Sequence, residues 1–127
     1  MQFGRPSLRI ETLQRLHDAE RACQEVQDFC RDANEASFLG NRGLMLIVHK
    51  LIEIIGEALK QAESFDPEIV DLIPDFRQIV NTRNRITHGY GTVNYRLLWS
   101  IVQTRIPSLH ITLVTLLASE QSAETDE

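Results

Sequence analysis

The sequence predicts an all-α protein: an antiparallel four-helix bundle with one short additional helix. Apolar residues recur at three- and four-residue spacing along nearly the whole chain of 127 residues. No segment sustains the strict alternation of a half-buried strand. Proline, glycine and capping side chains punctuate the pattern where helices would start and stop.

Ser7 is the expected N-cap of a first helix reaching about Ala33. Its inward stripe is Leu13, Leu16, Cys23, Val26, Cys30 and Ala33, with Phe29 beside it. Asn34 to Gly43 reads as a loop broken by Gly40 and Gly43. A second helix spans about Asn41 to Ser64, its main face formed by Leu44, Ile47, Val48, Leu51, Ile52, Ile55, Ala58 and Leu59. Leu46 and Ile54 fall off that face, so the helix is either central in the bundle or shared with a second subunit. Asp66-Pro67-Glu68 opens a short helix by combining a capping acid with proline at the first helical position. Pro74 interrupts it and opens the next helix, from Asp75 to about His88, which Gly89 and Gly91 stop. Asn94 caps a last helix to about Ser119, kinked at Pro107, where the Gln103 carbonyl loses its partner. One domain is therefore expected over residues 1–119, followed by an acidic, frayed tail at 120–127.

An apolar content of 43% and a charged content of 24% suit a globular chain. No stretch is long and apolar enough for a membrane span, and Met1 to Ile10 lacks the apolar core of a secretory signal. A cytoplasmic protein is expected. Cys23 and Cys30, seven residues apart, lie too far apart on a helix for a disulfide and read as buried thiols. The net charge of −5 argues against a surface that is basic throughout. Ile73 to Ile106 nevertheless holds five arginines and one acid, +4, leaving −9 for the rest of the chain. Such a segment can bind an anion locally while the remainder limits non-specific association.

The chemistry concentrates in Asn81-Thr82-Arg83-Asn84-Arg85-Ile86-Thr87-His88-Gly89-Tyr90. On a continuous helix Arg83, seven places after Phe76, points along the apolar stripe and needs an anionic or hydrogen-bonding partner there. Arg77, Asn81, Asn84 and His88 form a second, polar stripe. Arg83 and His88 are five apart and diverge on a straight helix. They meet only if the helix ends near His88 or if the site is composite between two chains. His49, Glu53 and Glu57 share a helix face but have no matching pair on another helix, so a metal site is not expected. Phosphate-binding loops, nucleophilic cysteine motifs and paired zinc cysteines are absent from the sequence.

Arg83, four residues, His88, one residue, Tyr90 resembles the signature of the HepT-like toxins, within the wider superfamily of HEPN domains. Asn84 after the arginine and Gly89 between histidine and tyrosine match the usual form. Ile55-Gly56-Glu57-Ala58 resembles the family's second helix, and Trp99 with Pro107 its last one. The resemblance implies metal-independent RNA cleavage, with no cofactor, in a cleft between two copies of a homodimer. It implies Arg83 and His88 as the catalytic pair and Asn84 as their support, with Arg77 and Arg85 as further candidates for RNA backbone contacts. It also implies a nucleotidyltransferase antitoxin that transfers AMP to Tyr90. The competing reading is a non-catalytic helical adaptor that binds a nucleotide or presents substrate to a partner transferase.

Overall fold

The computed structural model describes residues 7–87 and 91–125, with side chains as far as Gln121. It is all-α. The elements run α1 (Ile10–Cys30), α2 (Glu35–Leu39), α3 (Arg42–Phe65), α4 (Ile69–Leu72), α5 (Phe76–Val80), α6 (Thr82–Ile86), α7 (Tyr95–Thr104) and α8 (Ile106–Thr125). Among the described residues the one β pairing is a single antiparallel bridge between Thr87 and Val93. α3 is central: it buries Val48, Leu51, Ile52, Ile55, Ala58, Leu59 and Ala62. α1 packs along α3 and along α8, while α5 and α6 also lie against α3.

The junctions show where local signals compete with tertiary ones. Ser7 does not cap α1. Arg9 holds the N-cap position and offers no side-chain cap. The acceptor comes from the far end of α3, where Asp66 Oδ2 takes the Arg9 backbone N–H at 2.8 Å and the Thr12 hydroxyl. Asp66, expected to start the helix that follows it, is thus spent on α1. α4 begins later, behind Glu68, without a side-chain cap. The expected loop after α1 contains α2, which forms because Asn34 and Ser37 satisfy each other's backbone N–H in a capping box. Asn41 and Asn94 cap α3 and α7 through the N–H groups of Leu44 and Leu97.

Two helices expected to be continuous are broken. The last one divides at Arg105, two residues before Pro107, and the halves meet at a 44° bend. The helix read from Asp75 to His88 divides at Asn81, whose φ of −87° and ψ of 5° are not α-helical. That junction advances the inward phase by one residue. Thr82 is buried where a continuous helix would have turned Arg83 inward, and its hydroxyl donates to the Gln78 carbonyl at 3.1 Å.

The chain end also differs from expectation. α8 continues past Ser119, and Glu120, placed in a frayed tail by its composition, is buried and accepts the Leu8 N–H at 2.6 Å. Cys23 and Cys30 are buried free thiols. Burial, with Glu20 nearby as a smaller cause, pushes the Cys23 thiol up to about 12. No single helix among the described residues is long and apolar enough to cross a membrane; the bent pair α7–α8 meets that test only when both are taken together.

Asp66 ties the start of α1 to the end of α3, so its removal strands a backbone donor and a buried hydroxyl. Asp66→Ala should lower unfolding stability by about 1–3 kcal/mol, read as a shifted urea midpoint at unchanged slope, with Asp66→Asn less affected.

Candidate functional site

α5 and α6 are short because each is a single turn between interruptions, and both depend on α3 for their position. Gly56 of α3 faces the end of α5: a Cβ there would lie 3.5 Å from the Val80 carbonyl, an ordinary contact. Between α3 and the α5–α6 segment runs an open groove of about 840 Å³. Its α3 wall carries Lys50, Glu53, Glu57, Lys60 and Glu63, and its opposite wall Arg77, Asn81, Arg83 and Asn84.

Arg83 is therefore not turned into the apolar interior. Its side chain is 72% exposed, and its Nε lies 3.2 Å from Glu53 Oε2. The phase change at Asn81 is the physical reason for the correction. The polar stripe fares better, since Arg77, Asn81 and Asn84 do line one groove. Arg77 is differently engaged. Its Nη1 donates to Glu63 Oε1 at 2.8 Å and its Nη2 to Glu63 Oε2 at 2.5 Å, so the carboxylate occupies the whole fork. That hydrogen bonding holds the Arg77 guanidinium above its ordinary value. The guanidinium also lies 5.5 Å from the Phe76 ring centroid. Arg85 is exposed but is not among the residues lining the groove.

His88 and Tyr90 lie outside the described residues. The chain on either side of them is well anchored. Thr87 pairs with Val93, and the Asn94 N–H donates to the Ile86 carbonyl at 2.6 Å. Gly91 has φ +76°, a conformation that a side chain would strain.

His110 and His49 stand outside the groove. His110 bridges Glu20 Oε2 at 2.7 Å and Gln27 Nε2 at 2.8 Å, between α1 and α8. His49 packs edge-on against Tyr95 at 6.4 Å between centroids, and its buried Nε2 has no hydrogen-bond partner. Among the described residues no three His, Cys, Asp or Glu side chains converge as a metal site. Glu53 is the groove residue whose role sequence reasoning missed. Its signal was the polar seam Lys50, Glu53, Glu57, Lys60 along α3, but its partner lay 30 positions away.

The groove thus sets one exposed, Glu53-paired guanidinium, Arg83, beside the side-chain amides of Asn81 and Asn84 on a small helical protein. The profile of the family described as "Ribonuclease HepT-like" matches residues 19–116, and the chain belongs to that family. It is 30% identical to "Putative RNase MJ1380" of Methanocaldococcus jannaschii over 94 residues, 74% of this chain and 85% of that protein. It is 32% identical to "Probable ribonuclease HepT" of Thermococcus cleftensis over 94 residues, 74% of this chain and 84% of that protein. No solved structure matches the chain.

Proposed function

We propose that this protein is a metal-independent endoribonuclease acting in the cytoplasm as a homodimer, the toxin of a pair whose antitoxin is a nucleotidyltransferase. The observation that carries the reading is Arg83, exposed on the wall of an open groove beside Asn84, on α6, which ends at Ile86, two positions before His88 in the sequence. Arg83 and His88 form the catalytic pair. Asn84 orients the phosphate or the histidine, and Arg77 and Arg85 are secondary candidates for the RNA backbone. Of these two, the Glu63 clamp makes Arg77 less available, and Arg85 stands away from the groove.

The chemistry needs no metal if side chains supply the charges. A base removes the proton from the RNA 2′-hydroxyl, and the resulting oxygen attacks the adjacent phosphorus. The bond to the departing 5′-oxygen breaks, an acid protonates that oxygen, and a 2′,3′-cyclic phosphate remains. Histidine suits either proton transfer because its ordinary pKa of about 6.5 lies near neutrality. A guanidinium fork stabilises the charge that develops on the phosphoryl oxygens. One chain has one such histidine; two-fold pairing gives a cleft with two.

Support for pairing comes from α3. Leu46, Ile47 and Ile54 are 46%, 40% and 38% exposed, Ile54 among the groove residues, apolar side chains of the kind that subunits cover. Tyr90 is the proposed regulatory acceptor. Its phenolic oxygen attacks the α-phosphorus of ATP, pyrophosphate leaves, and the tyrosine keeps an AMP. The added phosphate and nucleotide bulk then compete with RNA for the guanidinium.

Cleavage of RNA in EDTA should be abolished by Arg83→Ala and His88→Ala, with growth arrest lost in parallel. Equal behaviour of wild type and both variants points to the adaptor instead. Tyr90→Phe should keep nuclease activity while escaping the antitoxin, and intact-mass measurement should find AMP at Tyr90; AMP found at another residue refutes that role. Ile54→Glu should shift the protein from dimer to monomer in light scattering and reduce cleavage with it.

A further inference from the structure

Resting on the ribonuclease reading of Arg83, we infer that Glu53 is a positioning residue for the reaction: it grips the Nε edge of Arg83 and leaves the Nη fork for the scissile phosphate. The inference comes from the contrast between two arginines in one groove. Glu63 takes both Nη groups of Arg77 and consumes the face that would meet a phosphate. Glu53 meets Arg83 at Nε, 3.2 Å away. A guanidinium has five N–H donors, so one carboxylate at the Nε edge and one phosphate at the fork can be held together.

The two supports differ in stiffness. Arg83 projects from α6, a helix of five residues, with a side chain 72% exposed. A long side chain in that setting loses considerable rotamer freedom when it is fixed. Glu53 stands in the interior of α3, a helix of 24 residues, and is only 29% exposed. Its carboxylate is therefore the rigid member of the pair and the guanidinium the mobile one. Misplacing a guanidinium that must meet a transition state lowers the rate more than it weakens binding.

The experiment compares wild type, Glu53→Ala, Glu53→Gln, Asp32→Ala and Arg83→Ala in EDTA, with melting curves for each. Glu53→Ala should reduce kcat about 10- to 100-fold with KM little changed, as for a displaced catalytic group. Glu53→Gln should lose rate much as Glu53→Ala does, since the contact at Nε is an ion pair and the amide carries no charge. Asp32→Ala, an exposed acid outside the groove, should cleave like wild type. Millimolar guanidinium should rescue Arg83→Ala but not the Arg83→Ala/Glu53→Ala double variant, a readout that a purely structural role of Glu53 would not move. Cleavage by Glu53→Ala at the wild-type rate or faster overturns the inference, as does equal rescue of single and double variants. Wild-type cleavage by Arg83→Ala overturns the catalytic role of Arg83 on which the inference rests and is scored separately from either result.

Discussion

α3 must bury more of its circumference than one neighbour can cover, and that constraint arranges the rest of the molecule. Its apolar residues from Val48 to Ala62 face α1 on one side and the α5–α6 segment on another. No continuous long helix is available for the second side, because the chain between Asp66 and Thr87 is cut into single turns. Single turns are not stable alone. They persist here because Ile69, Ile73, Phe76, Ile79 and Ile86 are buried in the common core. The site therefore stands on a segment that borrows its rigidity from α3.

The same arrangement redistributes charge. By sequence, the segment from Ile73 to Ile106 is strongly basic. In space four of its five arginines are met one by one: Arg77 by Glu63, Arg83 by Glu53, Arg96 by Glu35 and Arg105 by Asp75. Three of those four acids come from α2 and α3, outside the segment. Exposed pairs of this kind contribute about 0–1 kcal/mol each to stability. Their larger effect is on the field outside the protein, which is far less positive than the segment's composition implies.

Much of the fold was legible because it rests on local chemistry. Asn41 and Asn94 cap the helices that follow them, and the bend near Pro107 follows from ring geometry. The failures share a cause in long-range contacts. Asp66 caps a helix 57 residues upstream and Glu120 receives an N–H from 112 residues away, so neither could be assigned from its neighbours. The break at Asn81 carries no proline or glycine signal. It shows only in the burial of Thr82, and it decided whether Arg83 faced the core or the groove. The polar stripe of Arg77, Asn81 and Asn84 survived the break because the groove is wide enough to take side chains from both turns.

Neutralising an arginine proposed to bind phosphate looks self-defeating until the geometry of the neutralisation is considered. A lone exposed guanidinium attracts any phosphate, and in a cell rich in nucleic acid that means mostly unproductive contacts. A carboxylate across the fork, as at Arg77, removes that attraction and the binding face together. A carboxylate at Nε, as at Arg83, cancels the charge seen from a distance while leaving the donors that recognise a phosphate at contact. Screening confines the attraction of such a pair to short range. On the role proposed for Arg83, RNA would be selected by fit within the groove and not by long-range pull, which agrees with a net charge of −5.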